Sequence, residues 1–347
     1  MQFNFPTLSL PFMQKFLLIQ TAFIGDVVLA TGLAEKLHQH FPAAQIDFLL
    51  RKGNESLLIN HPFLHEVLVW DKKKNKISNL LRMAKLIRRN RYDKVINVQR
   101  FAATGLLTAF SGAKEKIGFD KNPFSFLFSK KVAHVIADGR HEIDRNHELI
   151  KDFTDSVPAR PKLYPGPADW EFAKQFQLFP YICIAPASVW FTKQYPAEKW
   201  ISFMNKVSRD IKIYLIGAPA DHSLCEQLIS SSRHSQVTNL AGKLSFLQSA
   251  ALIKSARMNY VNDSAPLHFA SAVNAPTTAV YCSTLPSFGF GPLADKSFIV
   301  QKEETLYCRP CGLHGRKECP EGHFKCAFDI RDEQLVETLK NETSYGL

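Results

Sequence analysis

Short apolar runs alternate with helix-like segments along almost the whole chain, and this alternation restricts the fold more than any other feature. Apolar runs predict strands at 16–21, 45–50, 66–70, 94–98, 181–185, 212–216, 258–262 and 277–281. Between them, apolar residues at three- and four-residue spacing predict helices, the longest being those at 28–40 and 77–89. This rhythm is typical of parallel, doubly wound sheets, so an α/β protein is predicted.

A cluster of prolines divides the alternation into two halves. Four prolines lie within ten residues: Pro158, Pro161, Pro165 and Pro167. Prolines at that density interrupt both helices and strands. We therefore predict two domains, residues 1–160 and 161–330, followed by a C-terminal helix and tail at 331–347. The 347 residues are enough for two hydrophobic cores.

Positive charge is concentrated in the first half. The net charge is +11, and residues 1–167 carry 25 Lys and Arg against 15 Asp and Glu, whereas residues 168–347 carry 18 against 17. This excess of basic residues favours a polyanionic partner, namely nucleic acid, anionic lipid or a phosphorylated glycan. The alternative is an ordinary solvated surface, which can have the same composition. The helix at 77–89 is predicted to bury its apolar side chains, which are Ile77, Leu80, Leu81, Ala84 and Ile87. Its basic side chains are predicted to be exposed: Arg82, Lys85, Arg88 and Arg89.

No apolar run reaches the roughly 18 to 20 residues that a membrane-spanning helix needs. The first fifteen residues are apolar and aromatic, but they have neither a basic leader nor a small-residue cleavage site, so no signal peptide is predicted. Translation could start at Met1 or at Met13. A cytoplasmic location is therefore expected.

Three sequence fingerprints are missing. No Gly-x-Gly-x-x-Gly follows a predicted strand, and neither a phosphate loop of the Gly-x-x-x-x-Gly-Lys-Ser/Thr type nor Asp-x-Asp is present. These absences argue against a dinucleotide enzyme and a phosphate-loop hydrolase. If a diphosphate leaves during the reaction, protein groups rather than a divalent ion must carry its charge, and no catalytic cofactor is expected.

Polar side chains follow the predicted strands, which is where open α/β sheets bind ligands. After the first strand of the second half, Ser188, Thr192 and Lys193 suit a phosphate site with a lysine clamp, or else an ordinary surface loop. After the strand at 212–216, Asp221 suits either a helix cap or a contact to a ribose.

A second group of polar residues follows the strand at 258–262. Asp263 and Ser264 open a helix, and His268 lies one turn further on. The free N–H groups of that first turn suit a diphosphate. The alternative is that Asp263 only caps the helix and His268 packs against the sheet.

The stretch FIGDVVLATGLAEKL joins the first strand to the first helix with one glycine, Gly25, and one carboxylate, Asp26. A negative charge is out of place in a turn that binds anions. Asp26 is therefore either a functional group of another kind or an N-cap of its helix.

Four of the seven cysteines lie near the end of the chain, in the cysteine-rich segment 308–326. The pattern begins as Cys-x2-Cys and indicates a small structural zinc site, with His314 or His323 as spare ligands, or else free thiols in a folded loop. The proposed ligands are Cys308, Cys311, Cys319 and Cys326.

Five stretches together resemble glycosyltransferase family 9, the ADP-heptose:lipopolysaccharide heptosyltransferases, and its heptosyltransferase II-like members in particular. They occur in the family order: IGDVVLATGLAEKLHQHFPAAQIDFLL, PASVWFTKQYPAEKW, IGAPADHSL, VNDSAPLHFASAVNAPTTAVY and CRPCGLHGRKECPEGHFKCAFDI. The resemblance covers roughly residues 15 to 335. It implies a GT-B fold, in which two Rossmann-like domains face each other across a cleft, with the acceptor on the N-terminal domain and the nucleotide sugar on the C-terminal one.

The resemblance also implies roles for individual residues. Asp26 matches the family's proposed general base, and Lys193 matches a lysine near the donor phosphates. Asp263, Ser264 and His268 match the motif on the phosphate side. Ser188 and Thr192 stand at positions where the family has polar residues that contact the donor. Asp221 stands near the position of an acidic residue that contacts the ribose.

The sequence departs from the family pattern at two places. Gln20, Thr21 and Ala22 stand where many members have a basic residue, and Ala265 and Pro266 stand where members often carry glycine. Neither departure removes one of the matched catalytic groups.

The implied function is an inverting, metal-independent transfer of heptose from ADP-heptose to the lipopolysaccharide inner core. The acceptor would be an anionic glycolipid, and the basic N-terminal half would hold the enzyme peripherally at the cytoplasmic face of the inner membrane. A family 9 enzyme with another nucleotide sugar or glycan acceptor is the main alternative. A basic, zinc-bearing nucleic-acid-binding protein is a distant one, because the cysteine-rich segment has few aromatic residues among its basic ones, so no nucleic-acid partner is expected.

Overall fold

The structure is a computed structural model that describes residues 13–136 and 138–343. The described part contains two parallel six-stranded sheets with helices on both faces of each. The predicted α/β class is therefore confirmed. The predictions made for residues 1–12, including the absence of a leader, and for the end of the tail at 344–347 lie outside the described residues.

The first sheet has the strand order β3-β2-β1-β4-β5-β6. Its strands are β1 Lys15–Ile19, β2 Gln45–Arg51, β3 Leu64–Trp70, β4 Lys94–Asn97, β5 Glu115–Phe119 and β6 Lys130–Val132. The helices of this half are α1 Ile24–His40, α2 Lys76–Asn90, α3 Ala102–Ala109 and α4 Glu142–His147. The central strands β1 and β4 are almost entirely buried, as their continuous apolar character requires.

The second sheet repeats this plan with the order β12-β11-β10-β7-β8-β9. Its strands are β7 Tyr181–Ala185, β8 Lys212–Leu215, β9 Val237–Asn239, β10 Met258–Asn262, β11 Thr277–Tyr281 and β12 Ser297–Gln301. Its helices are α5 Pro167–Lys174, α6 Ala197–Lys206, α7 His222–Ser231, α8 Phe246–Ser255, α9 Ala265–Ala272, α10 Lys325–Phe328 and α11 Asp332–Thr343.

Each sheet has one point where the direction of strand addition reverses. In the first sheet it lies between β1 and β4, and in the second between β7 and β10. Loops leaving two neighbouring strands in opposite directions open a crevice at their carboxyl ends, and ligands of open α/β sheets bind there. The residues that follow these four strands are therefore the first place to look for a site.

The two halves of the chain touch at this edge. Helix α1 packs against α9, and a Cβ atom added to Gly25 would lie only 2.6 Å from Cδ2 of His268. Around α4, the Glu142 N–H donates to the Gly289 carbonyl at 2.7 Å, and the Arg145 guanidinium donates to the Phe288 carbonyl at 2.8 Å. These contacts bring the carboxyl ends of the two sheets face to face.

The exposed face of α2 differs from the prediction. Ile77 and Leu81 were expected inside, but they are 76% and 64% exposed, and the buried residues are Met83 and Ile87. The prediction was wrong because the sequence does not fix which part of a broad apolar stripe meets the sheet. Among the described helices, none combines the length and apolar character needed to cross a membrane.

The strands that sequence reasoning missed are mostly at sheet edges. β6, β9 and β12 are outermost strands whose residues are mostly partly exposed, and the fourth missed strand, β5, lies next to β6. Such strands lack a continuous apolar run because only one face or one edge is covered. The proline cluster forms no helix or strand before Pro167, which takes the first position of α5.

Candidate functional site

A buried ion pair joins the loops after β7 and β10. The Nζ atom of Lys193 lies 2.7 Å from Oδ2 of Asp263, and the Thr284 hydroxyl donates to the same oxygen at 2.7 Å. Only 14% of the Lys193 side chain and 8% of the Asp263 side chain are exposed. Removing two charges from water costs about as much free energy as their attraction returns, so a buried ion pair adds little to stability. A pair of this kind at the crevice of a sheet is better suited to ligand binding than to stabilising the fold.

Thr192 joins this loop to two other segments. Its side chain is fully buried, and its hydroxyl oxygen accepts hydrogen bonds from the Ser283 hydroxyl at 2.9 Å and from the Arg316 N–H at 2.7 Å. The expected contact of Thr192 with a donor stays a prediction. In this arrangement its hydroxyl fixes the loop that carries Lys193.

The N-terminus of α9 lies beside the ion pair. Ser264 is the N-cap residue, but its hydroxyl does not cap the helix and lies 3.4 Å from the Asn262 carbonyl oxygen. Asp263 is therefore not the N-cap, and its carboxylate is used in the pair with Lys193 instead. The positive end of the α9 dipole and the uncapped N–H groups suit an anion at this place.

His268 lies one turn into α9 and is buried. Burial lowers the pKa of His268 to about 4, so the imidazole is neutral at physiological pH. Its Nδ1 atom has no hydrogen-bond partner among the described residues. Since buried polar atoms are normally paired, this nitrogen is available to a bound group. The ring also contacts Gly25 of the other half, so His268 stands between the two crevices.

Asp26 lies in the first turn of α1, at the end of β1. The N-cap of α1 is Phe23, so the alternative in which Asp26 is the N-cap is wrong. Burial raises the pKa of the Asp26 carboxyl, and a backbone hydrogen bond from Phe23 and the charges of His314 and Arg100 lower it in part. A carboxyl with a raised pKa is a better proton acceptor than an ordinary aspartate.

Near Asp26 lie three residues that the sequence analysis did not name and one, His314, that it considered only as a spare zinc ligand. Arg100 follows β4, Glu142 and Arg145 belong to α4, and His314 belongs to the cysteine-rich segment. Burial raises the pKa of Glu142, although its ion pair with Arg145 at 2.8 Å acts in the opposite direction. Arg100 could have been found by the same inspection of strand ends, whereas the other three are brought here by long-range packing.

Two of the predicted donor-contacting residues form other hydrogen bonds. The Asp221 carboxylate accepts a hydrogen bond from the Ala218 N–H at 2.8 Å, which is the helix-start role considered as its alternative. Ser188 is half-buried, and its carbonyl accepts from the Gln194 side chain at 2.7 Å. Within the described part of the chain, no hydrogen bond or ion pair joins Asp221 or Ser188 to Lys193 and Asp263.

The four C-terminal cysteines line one cavity of about 260 Å³, together with Thr192 and Arg316. All are free thiols, and burial raises the pKa of Cys326 to about 12. In the described residues, the one group of metal-ligating side chains with atoms all within 4.8 Å is Asp47, His65 and Glu66. No three of the four sulfurs therefore lie within 4.8 Å of one another, whereas the Zn–S length implies a spacing of roughly 3.8 Å in a closed tetrahedral zinc site.

Sequence comparison relates the chain to known transferases. A model of glycosyltransferase family 9 (heptosyltransferase) matches residues 80–323. Lipopolysaccharide heptosyltransferase 3 of Escherichia coli is 26% identical over 277 residues, which cover 76% of this chain and 82% of the relative. The family match includes Lys193, Asp263 and His268, and it begins after Asp26.

Solved structures are similar over almost the whole chain. A family 9 glycosyl transferase from Veillonella parvula has a TM-score of 0.83 at 21% identity, covering 95% of this chain and 97% of its own. The E. coli ADP-heptose lipopolysaccharide heptosyltransferase II has a TM-score of 0.78 at 21% identity, covering 95% and 98%. Likeness at this identity concerns the fold, and it confirms the predicted GT-B arrangement.

Proposed function

This chain belongs to glycosyltransferase family 9, the heptosyltransferase family, and from that premise we propose that it transfers heptose from ADP-heptose to a hydroxyl group of the lipopolysaccharide inner core. The observation that carries the proposal is the close approach of Gly25 and His268. This approach brings the start of α1, which carries Asp26, next to α9, whose start lies beside the Lys193–Asp263 pair, and this supports the proposal. A proton acceptor and an anion site facing each other are what glycosyl transfer from a diphosphate sugar requires.

The proposed reaction inverts the anomeric carbon. The acceptor oxygen attacks C1 of the heptose on the face opposite the diphosphate, and the Asp26 carboxylate takes the hydroxyl proton. The C1–O bond to ADP breaks, and its electron pair stays on the leaving diphosphate. Lys193 and the N–H groups of α9 stabilise that charge, and the neutral His268 offers a hydrogen bond. No metal ion is needed, since these groups supply the positive potential.

A combined binding and transfer assay tests this function. Wild-type protein in EDTA is expected to bind ADP and ADP-heptose in a calorimetric titration, and to transfer heptose to lipopolysaccharide from a heptose-deficient strain. The anomeric configuration of the product, read by NMR, should be opposite to that of the donor. Binding of another nucleotide sugar in place of ADP-heptose would overturn the donor assignment. Loss of transfer in EDTA that added Mg²⁺ restores and added Zn²⁺ does not would overturn metal independence, since zinc alone would refill the structural site proposed below.

We also propose that α2 holds the enzyme at an anionic membrane surface, where the glycolipid acceptor lies. Ile77 and Leu81 stand one turn apart on its exposed face, and Lys85 continues the same row. Further exposed cations surround the row: Lys73, Lys74, Lys76 and Arg82. Apolar side chains ringed by Lys and Arg favour shallow insertion into an anionic bilayer.

Vesicle sedimentation tests the role of α2. The double variant Ile77→Ser/Leu81→Ser should bind phosphatidylglycerol vesicles at least about tenfold more weakly, since each apolar side chain contributes roughly 1.5 kcal/mol or more on burial. Leu178→Ser, which alters an equally exposed leucine of the second half, should bind as wild type. Equal binding to phosphatidylcholine, or equal loss in the Leu178 variant, would contradict the proposal.

A structural zinc ion at the cysteine-rich segment is our third proposal. Four thiols line one cavity, and four thiolates are a ligand set that structural zinc prefers. Purified protein is expected to contain about one zinc per chain by mass spectrometry, and Cys308→Ser/Cys311→Ser should contain none. Metal-free wild type in which all four thiols react with a thiol reagent would refute it.

A further inference from the structure

The loop that follows β11 connects the anion site with the N-terminal half of the chain. We use the term β11 loop for residues 282–291. Near its start, the Thr284 hydroxyl donates to Oδ2 of Asp263 at 2.7 Å, so this end belongs to the anion site. Near its other end, the Phe290 carbonyl accepts from the Tyr281 hydroxyl at 2.9 Å. The β11 loop therefore folds back onto the end of its own strand, and Phe290 returns to the sheet that carries the site.

The ring of Phe290 packs on His268. The two ring centroids are 6.3 Å apart and the planes are inclined by 64°, which is an edge-to-face arrangement. His268 is buried, and its Nδ1 atom finds no hydrogen-bond partner within the described ranges. The imidazole also meets Gly25, where an added Cβ atom would lie 2.6 Å from Cδ2 of His268. Packing against Gly25 and Phe290 therefore sets the orientation of the imidazole.

Phe290 in turn packs on Arg145 of helix α4. The Cζ atom of Arg145 lies 5.8 Å from the centroid of the Phe290 ring, a distance at which a guanidinium and an aromatic ring attract each other. The same guanidinium donates to the Phe288 carbonyl at 2.8 Å. Gly289 has a φ of +95°, and a Cβ atom there would collide with the guanidinium. Residues 288–290 are thus packed directly on the side chain of Arg145.

The Arg145 side chain is itself fixed by α4 and the residues before it. Only 1% of it is exposed, and it pairs with Glu142 at 2.8 Å. Its Nε atom donates to Glu142 at 2.9 Å, and its Nη1 atom donates to the Arg140 carbonyl at 2.6 Å. The Glu142 N–H also donates to the Gly289 carbonyl at 2.7 Å. A planar guanidinium that is bonded on several sides has one defined position, so it can hold the β11 loop in place.

We propose that Arg145 is a positioning residue, which sets the orientation of His268 through the ring of Phe290. Contacts on the page join Arg145 to Phe290 and Phe290 to His268, so the effect passes through packed side chains. The inference rests on the proposed function, because it takes His268 as a hydrogen-bonding partner of the donor diphosphate. Since Arg145 belongs to the N-terminal half and His268 to the C-terminal half, donor binding depends on the contact between the halves.

The NMR signals of the His268 ring in the nucleotide-free protein test the positioning directly. In protein with ¹³C-labelled histidine, these signals are identified by their absence from His268→Ala. They should move in Arg145→Met and in Phe290→Leu, because an aromatic ring shifts the signals of nuclei that it faces. Arg140→Met is the matched control, since Arg140 lies in the same segment and its side chain has acidic partners of its own. Unmoved His268 signals in Arg145→Met, or an equal movement in Arg140→Met, would overturn the proposal.

A second variant separates the loss of Arg145 from damage to the fold. Arg145→Met leaves the Glu142 carboxylate buried without its cation, which is costly. Glu142→Gln/Arg145→Met removes both charges and should therefore fold as wild type. The His268 signals should move in this double variant as they do in Arg145→Met. Signals that move in the single variant and return in the double variant would show that the unpaired carboxylate is the cause, and this result would contradict the proposal.

A double-mutant cycle links the positioning to donor binding. Arg145→Met and His268→Ala should each weaken calorimetric binding of ADP-heptose by about tenfold, the usual effect of losing one hydrogen bond to a charged group. Arg145→Met/His268→Ala should bind within about twofold of His268→Ala, because Arg145 then has no imidazole to position. Losses that multiply to about a hundredfold would mean that Arg145 acts independently of His268, which overturns the proposal. If His268→Ala binds the donor as wild type, the proposed role of His268 fails, and the NMR signals still decide whether Arg145 positions its ring.

Discussion

The Asp26→Asn variant is expected to transfer heptose about 10²- to 10⁴-fold more slowly than wild type, the usual contribution of a general base. Asparagine keeps the size of the side chain and its contact with the start of α1, but it cannot accept the proton of the acceptor hydroxyl. Because the donor groups lie in the other crevice, ADP-heptose binding should change by less than about twofold. Single-turnover rates and calorimetric titrations on the same preparation separate the two effects.

The pH dependence of the wild-type enzyme supplies a second test of this base. Burial raises the pKa of Asp26, and a base acts only in its ionised form. The value of kcat/KM should therefore fall on acidification at a higher pH than the value of about 4 for an ordinary aspartate. The acid limb should be absent from the residual activity of Asp26→Asn, and a limb that survives unchanged would assign it to another group.

Glu142→Gln is the matched comparison, because Glu142 is a second buried carboxyl of the same cleft. Burial raises its pKa as well, but its Oε2 atom already pairs with Arg145 at 2.8 Å and accepts from Arg145 Nε at 2.9 Å, so that oxygen is not free for an acceptor hydroxyl. We expect its variant to lose less than about tenfold in transfer rate, well below the general-base effect. A larger loss of transfer rate in Glu142→Gln than in Asp26→Asn would identify Glu142 rather than Asp26 as the general base.

The sequence was sufficient to locate those residues of the site that follow a strand directly. Asp26, Lys193 and Asp263 come after β1, β7 and β10, and a parallel sheet brings the carboxyl ends of its strands to one edge. The pattern of strands in the sequence therefore predicts at which edge of its sheet each of these residues lies, without knowledge of any tertiary contact. The helix caps were less certain, since Phe23 and Ser264 rather than Asp26 and Asp263 take the N-cap positions.

The remainder of the cleft depends on contacts between distant segments. The charge of His314 acts on Asp26 because residues 314–316 fold back onto Thr192, and the charge of Asp26 acts on Glu142, whose backbone N–H donates to the Gly289 carbonyl. Neither contact leaves a periodic signal in the sequence. The same limit applies to Leu81, whose exposure depends on how α2 is rotated against its sheet.

The Lys193→Met variant is expected to lose about 3 kcal/mol of the free energy of unfolding and at least about tenfold in ADP-heptose affinity. Methionine keeps the length of the aliphatic chain but leaves the nearly buried Asp263 carboxylate without its cation. Thr284 still donates to that oxygen, which retains part of the compensation. Urea unfolding measures the first loss, and calorimetric titration with ADP-heptose measures the second.

Two further variants separate the stability of the pair from its function. Lys193→Met/Asp263→Asn removes both charges, so stability should return to within about 1 kcal/mol of wild type while donor affinity stays low. Lys199→Met removes one of the two cations that pair with Asp332, leaving Lys206 at 3.1 Å, so it should reduce stability less than Lys193→Met and should leave donor affinity unchanged. If the double variant regained donor binding, Lys193 would act only by neutralising Asp263, and the diphosphate would depend on the start of α9 and on His268. Persistent loss of affinity in a stable double variant instead identifies Lys193 as a direct ligand of the diphosphate.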